Sequence, residues 1–449
     1  MAEFAKGIKE VSILLTKERY EEANKDFQSV DTDCSDEWMF NLKRNSNGII
    51  EKTIDNILLV LENDPLVKGK IALDDFANRG LVLGALPWNN SEKKRFWNDT
   101  DDAGLRHYLE KVYGIIGKEK IYDATSLCAH KHKFNSVRDY LLSVKWDGVS
   151  RLETLFIDYF GADDNEYTKE VAKKSFVAAV ARVMQPGIKF DNMVIISGAQ
   201  GIGKSTFFSY LGKDWFSDSL VTFEGKEAAE LIQGRWLIEV GELSGMSKSE
   251  TNTVKQFLSK TDDIYREAYG RRTAQFPRKC VFFGTTNDTE YLKDPTGGRR
   301  FWPVDANAEK ATKSVFRDLP SEVDNIWAEA FAFWQLGEPL YLSKNAEKMA
   351  RKQQEDHREV SAKAGTVMEF VNKGIPVDWD SYTLDQRRAY WSFDYKSYRG
   401  NLTKRDRVCA AEVWTECFNK EISTSKRQDI MEINGILRGM EELTYNKKS

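Results

Sequence analysis

One run in the sequence has the residue types and spacing to do chemistry on a phosphate: Gly198-Ala-Gln-Gly-Ile-Gly-Lys-Ser205, preceded by the apolar run Met193-Val-Ile-Ile196. A short buried strand, a glycine-rich turn and a helix opening over Thr206 to Leu211 form the context in which such a loop wraps a nucleotide's phosphates. Gly198, Gly201 and Gly203 let backbone N–H groups turn inward, and Lys204 reaches the β and γ phosphates. The Ser205 hydroxyl completes the shell of a magnesium ion. Thr206, in the first helical turn, joins this binding set. The ligands expected from these residues are ATP and Mg2+.

Hydrolysis at such a loop needs a carboxylate beside it, at the end of a neighbouring strand. Gly234-Arg-Trp-Leu-Ile-Glu-Val-Gly-Glu242 reads as a compact apolar strand carrying two acids. Glu242, at its end, is the favoured residue for holding magnesium or polarising the attacking water. Glu239 lies three residues earlier, about 10 Å back along a strand and on its opposite face. It is the alternative metal ligand, with a structural ion pair as the plainer reading. A third buried strand, Lys279-Cys-Val-Phe-Phe-Gly-Thr-Thr-Asn287, ends in an amide able to hydrogen-bond both a γ-phosphate and the attacking water. Gly297 and Gly298 then make a tight turn that presents Arg299 and Arg300 ahead of an aromatic strand, and guanidinium groups held this way suit transition-state phosphate charge.

Between these strands, Ser247-x-x-Glu250 is a capping box opening a helix with Val254, Phe257 and Leu258 on its inner face and Lys255 outward. Asp262 to Phe276 reads as two short strands meeting at Gly270-Arg271-Arg272, a cationic tip with Tyr265, Arg266 and Tyr269 behind it. DNA contact and a solvated turn are both open for that tip.

The elements that must position these residues sit in a chain of 449 residues with 41% hydrophobic and 12% aromatic content, too long for one core and expected to form two to three domains. The net charge of −4 excludes a uniformly basic nucleic-acid binder and leaves local basic patches. No apolar run approaches the roughly 20 residues that span a bilayer, and the first residues lack a signal peptide's apolar segment, so a cytoplasmic protein with no membrane partner is expected. The five cysteines are scattered and form no Cys-x-x-Cys pair, which favours reduced packing residues. His130-Lys-His132 is half of a metal site or a solvated pair, and the solvated pair is favoured because no partner lies near it in sequence.

Residues 1–130 carry helical patterns such as Ile50 to Leu61 and Leu105 to Tyr113, with Gly80 to Trp88 a strand or a buried turn. They read as a mainly helical accessory domain. Tyr167 to Met184 is a long amphipathic helix leading into the nucleotide strand. After the core, Ala308 to Leu336 is a helical stretch whose aromatic face belongs to a core. Residues 341–400 form a helical connector. The basic and aromatic run Arg387 to Arg407 crosses its end, suited to phosphate contact and base stacking or else a linker with buried rings. Two helices at Ala410–Asn419 and Ser425–Leu437 fit a helix-turn-helix or small winged-helix module in residues 401–449.

The loop, Glu242, Lys255, Asn287 and the Gly-Gly-Arg-Arg-Phe turn together resemble superfamily 3 helicases, an AAA+ branch found in viral and mobile-element replication proteins. More closely, the chain resembles the virulence-associated protein E family, through Val137 to Leu141, Trp146-Asp-Gly148, Gln185-Pro-Gly187, Gly198 to Ser205, Trp236 to Leu243 and Gly297 to Trp302. The resemblance covers roughly residues 100–305. It implies an α/β fold with a P-loop AAA+ core, a parallel sheet flanked by helices, in residues 131–340. It implies Asn287 as sensor, Lys255 as a phosphate- or relay-contacting residue, and Arg299 or Arg300 as an arginine finger. It further implies a DNA-contacting set of Arg266, Arg271, Arg272 and Lys255, with single-stranded or forked DNA and a homo-oligomer, a hexameric ring, as partners. The activity implied is ATP-driven unwinding of DNA or translocation along it in the replication of a phage or mobile element. The alternative is a DNA-bound ATPase switch or initiator that does not translocate.

Overall fold

The computed structural model describes residues 16, 18–19, 36–241, 245, 247–266, 272–292, 298–358, 363–394, 398–440 and 443–444. Glu242 and Arg271 lie outside the described residues, as does most of the hairpin tip.

The amino-terminal unit begins with α1 (Ile54–Asn63), where Thr53 caps the first turn by accepting from the Asn56 N–H. It continues through β1 (Ile71–Asp74), β2 (Arg79–Val82), β3 (Arg95–Phe96), α2 (Asp99–Tyr113), α3 (Lys118–Lys131) and β4 (Lys133–Phe134). Ile57, Val60 and Leu61 of α1 pack with Leu105, Leu109 and Val112 of α2 and with Ile121 and Ala124 of α3. Buried Asp64 accepts from the hydroxyls of Tyr108 at 2.6 Å and Tyr113 at 2.8 Å, which satisfies its charge inside this core. The unit is less purely helical than its sequence pattern implies, because a four-stranded sheet in the order β3-β2-β1-β4 completes it. Its strands are of two to four residues, too short for a clear period-2 signal. Asn78 turns β1 into β2 at a φ of 52°, a left-handed conformation that asparagine tolerates. The last strand, β4, comes after residue 130 and pairs with β1 in parallel.

The central unit runs through α4 (Ser136–Ser143), α5 (Leu155–Phe160), α6 (Glu166–Met184), β5 (Met193–Ser197), α7 (Lys204–Gly212), β6 (Phe216–Ser217), α8 (Gly225–Leu231) and β7 (Leu237–Val240). It continues with α9 (Lys248–Leu258), β8 (Asp262–Tyr265), β9 (Ala274–Pro277), β10 (Val281–Thr286), β11 (Phe301–Asp305), α10 (Leu319–Gln335) and α11 (Lys344–Asp356). Five strands form a parallel sheet in the order β11-β5-β10-β7-β6. β5 is buried on both faces: Val194 and Ile196 join one core with Phe176, Phe208 and Trp327, while Met193 and Ile195 join the other with Val254, Phe257 and Phe282. A strand covered on both sides reads as a continuous apolar run, which is how it appears in sequence. The aromatic face of α10 is core, as expected: the Trp327 ring lies 3.9 Å from that of Trp236, and its N–H donates to the Leu211 carbonyl. The helix itself starts at Leu319, later than the pattern implies.

The two units are fastened together. Phe76 enters the central core, and the Ser136 hydroxyl donates to Asp74 at 2.7 Å. The carboxy-terminal unit comprises α12 (Ala364–Asn372), β12 (Ile375–Pro376), α13 (Leu384–Ala389), β13 (Leu402–Thr403), α14 (Ala410–Glu412) and α15 (Arg427–Arg438). Its core packs α12 against the segment Ala410–Cys417 and α15. Several basic residues of the run from Arg387 to Arg407 are used internally. Arg387 pairs with Glu416 at 3.1 Å, Arg388 donates to the Thr415 carbonyl, and Arg405 lies 3.9 Å over the Phe370 ring.

Candidate nucleotide-binding site

β5 ends at Ser197, and the chain turns through Gly198 to Gly203 into α7. Gly198 passes so close to β11's continuation that an added Cβ would sit 2.8 Å from that of Ala306. Gly203 caps α7 with a φ of 90°, where any L side chain is strained. The loop thus delivers the unpaired N–H groups of a helix start to the carboxyl edge of the sheet, an anion-binding geometry.

Lys204 is 8% exposed, and its ammonium group donates to the carbonyls of Gly198 at 2.7 Å and Ala199 at 2.9 Å and to Oδ1 of Asn287 at 2.9 Å. Burial draws its pKa below the usual lysine value, opposed by the charge of Glu239. Asn287 stands one residue beyond β10, so the cation of the loop and the amide of the neighbouring strand meet at the carboxyl edge of the sheet. Ser205 Oγ donates to Oε1 of Glu239 at 2.6 Å, and Thr285 Oγ1 donates to the same oxygen at 2.6 Å. Glu239 is 4% exposed, and its Oε2 is buried with no hydrogen-bond partner among the described residues.

These placements put Glu239 beside Ser205, while Glu242 lies outside the described residues. Glu239 is the penultimate residue of β7, which stops at Val240, and so its carboxylate reaches the loop from the strand end rather than lying a turn of pleat behind it. A hydroxyl and a buried carboxylate with one spare oxygen are hard oxygen donors that fit a magnesium ion, and Ser205 and Glu239 are the residues that would hold it. Thr285, which no sequence motif singled out, fixes the carboxylate's orientation.

Lys255 is not outward. It is 6% exposed on the same face of α9 as Thr251, Val254 and Leu258, with its ammonium 5.7 Å from the Phe301 ring centroid. A long aliphatic stem lets lysine pack along apolar surface, and an i, i+4 reading of three hydrophobic residues misses that. A surface DNA-contacting role for Lys255 is therefore set aside.

The two arginines separate. Arg300 Nε donates to Ser259 Oγ at 2.8 Å and lies 3.4 Å from Asp191, whereas the Arg299 side chain is exposed and its carbonyl accepts from Asn192 at 3.0 Å. Both precede β11, whose first residue Phe301 pairs with Met193 while Asp305 pairs with Ser197. At about 3.3 Å per residue, they stand a full strand length from the loop of their own chain. In the hairpin, β8 and β9 pair antiparallel and Tyr265 stacks on Phe276 at 4.5 Å, with Arg266 and Arg272 exposed towards the tip.

A further set was invisible in sequence. Ser197 Oγ donates to Asp305 Oδ1, and buried His357, just past α11, bonds Asp305 Oδ2 through Nε2 at 3.1 Å and the Thr289 carbonyl through Nδ1 at 2.6 Å. The His357 carbonyl accepts from the N–H groups of Tyr291 and Leu292. One side chain thereby ties the segment after Asn287 to the strand beside the one that opens the loop. Burial lowers the His357 pKa, but its bonds to Asp305 and Thr289 outweigh this and leave it above the ordinary value.

This is a parallel α/β domain with a phosphate-binding type of loop at the carboxyl edge of a sheet covered by helices on both faces. Residues 141–359 match the model of the virulence-associated protein E-like domain. Comparison with curated proteins gives no match. Among solved structures, the apo structure of the NrS-1 C-terminal region is 10% identical, covers 78% of this chain and 84% of that chain, and has a TM-score of 0.43. The A form apo structure of the same region is 10% identical over 73% and 80%, at a TM-score of 0.40. Likeness at TM-scores below 0.5 carries no weight for function. No helix among the described residues is long and apolar enough to cross a membrane.

Proposed function

We propose that the chain is a magnesium-dependent ATPase with a P-loop core of the AAA+ type, coupling ATP hydrolysis to the unwinding of DNA or translocation along it during replication of a phage or mobile element. The observation that carries the ATPase reading is the meeting of three strand ends at one loop: Lys204 with Asn287, and Ser205 with Glu239, the two pairs linked by Thr285 two residues before Asn287. β10 intervenes between the loop strand and the carboxylate strand, an order that supports the AAA+ assignment. In this reading Lys204 and the loop amides bind the β and γ phosphates, Ser205 and Glu239 hold Mg2+, and Asn287 orients the attacking water. The replication role is supported by the family of the domain, and DNA contact by the exposed Arg266 and Arg272 at the hairpin.

An arginine a strand length from its own loop supports completion of a neighbour's site, and hence a homo-oligomeric ring. The deciding experiment measures ATPase activity of the full chain with and without single-stranded DNA, and displacement of a labelled strand from a forked duplex. Strong stimulation with displacement supports a motor. Stimulation or binding without displacement gives the switch or initiator instead, and undiminished hydrolysis in Lys204→Ala overturns the ATPase reading itself.

A further inference from the structure

The carboxyl ends of α1 and α3 bring together three side chains that are far apart in sequence: Glu62, Cys128 and His132. Cys128 and His132 are four residues apart at the end of α3, so they share a helix face, and the His132 N–H bonds the Cys128 carbonyl as the helix closes. Glu62 faces them from α1. Its carboxylate oxygens lie 3.1 Å from His132 Nε2, and the thiol of Cys128 is within hydrogen-bonding reach beneath. One sulfur, one ring nitrogen and one carboxylate oxygen all fall within 4.8 Å of each other. Tetrahedral zinc, with bonds of about 2.0–2.3 Å, separates such ligand atoms by roughly 3.4–3.6 Å, so the His132–Glu62 pair at 3.1 Å opens slightly and the distances to the Cys128 sulfur stay within reach of a small rearrangement.

We propose that Glu62, Cys128 and His132 form a zinc(II) site that clips α1 to the end of α3. The donor set selects the metal: a soft sulfur and a borderline nitrogen favour zinc or cobalt over magnesium or calcium. A thiolate and a carboxylate balance the dication. Lys131, whose ammonium lies 3.2 Å from Glu62 Oε2, keeps one carboxylate oxygen engaged while the other faces the metal. Among the described residues the group supplies three ligands. His132 is partly exposed and gives the ion a path in. The site is independent of the nucleotide loop.

Cobalt(II) titrated into the reduced, metal-stripped full chain should bind at about one equivalent, with thiolate-to-cobalt charge transfer in the near ultraviolet and the intense visible bands of a four-coordinate ion, both removed by added zinc. Cys128→Ser should lose the charge-transfer band. Because Cys128 is buried, surface His132→Gln serves as the second variant: it should keep the native circular dichroism and weaken zinc binding by roughly 10–100-fold. A wild-type chain with no charge-transfer band overturns the proposal. So does a band that persists in Cys128→Ser, which would place the metal on a different cysteine, or one that persists in His132→Gln at unchanged affinity, which would remove His132 from the ligands.

Discussion

The hydroxyl of Ser205 donates to Oε1 of Glu239 at 2.6 Å, although β5, which leads into the Ser205 loop, and β7, which carries Glu239, are not neighbours in the sheet. The contact brings the acid of β7 to the loop's serine and leaves Oε2 of Glu239 buried without a partner among the described residues, the arrangement on which the proposed magnesium site rests. Glu239→Ala should therefore lower magnesium-dependent turnover by about 10²-fold or more and raise the magnesium concentration needed for half-maximal rate. Glu242→Gln is the companion variant. ATP bound but unhydrolysed in it assigns a separate catalytic base, whereas full turnover assigns both roles to Glu239.

The Lys204–Asn287 contact makes the amide a partner of the phosphate-binding cation. Asn287→Ala should reduce kcat by about 10²-fold with a small change in KM, because a residue that orients water acts mainly in the transition state. A large rise in KM at constant kcat would make Asn287 a binding residue only.

Arg299 and Arg300 should behave differently. Arg299→Ala should keep ATP binding and lose turnover by roughly 10³-fold, the signature of a missing finger. Mixing it with Lys204→Ala should restore part of the activity, since some interfaces then pair an intact loop with an intact arginine. Arg300→Ala should instead lower the thermal midpoint by removing its contacts with Ser259 and Asp191. A monomer with full activity, or no rescue in a confirmed mixed oligomer, removes the trans assignment.

Arg266→Ala with Arg272→Ala should weaken DNA binding and flatten its dependence on salt, by roughly one unit of slope per lost phosphate contact. An unchanged slope would return the hairpin to a solvated turn.

His357 and Asp305 make a pH-dependent contribution to stability. The histidine pKa is raised by its net interactions, so its share is fully present below the unfolded value of about 6.5 and lost as pH rises through the higher folded value. Burial raises the Asp305 pKa but its bonds to His357 and Ser197 leave it lowered, so its share is present above about 3.9 and lost as pH falls through the folded value. Asp356 adds a favourable charge to the histidine, and Tyr291 stacks on its ring at 5.2 Å. His357→Phe, which keeps the stacking, should cost about 1–2 kcal/mol near pH 6 and less at pH 9. Thermal midpoints of both proteins over this range check it, and a constant difference would show that only packing was lost.

The form of the glycine-rich loop was legible because it is local: glycines, a lysine and a serine contiguous in the chain specify both the turn and the atoms it presents. The apolar strands were legible for the same reason, as runs long enough to be covered on both faces. Asn287 could be picked out because it ends such a run. That Glu239 meets Ser205 depends on where β7 stops and on β10 lying between two strands remote in sequence, and local pattern determines neither. The burial of Lys255 depends on how α9 is rotated against the sheet, and a long side chain is compatible with either face. The Ser197–Asp305–His357 chain and the Glu62–Cys128–His132 cluster join residues from separate elements with no motif between them. Sequence specified the strand, turn and helix of the loop because those are carried by neighbours in the chain; tertiary structure alone decided its partners, because parallel strand order and helix rotation are set by how distant apolar faces pack.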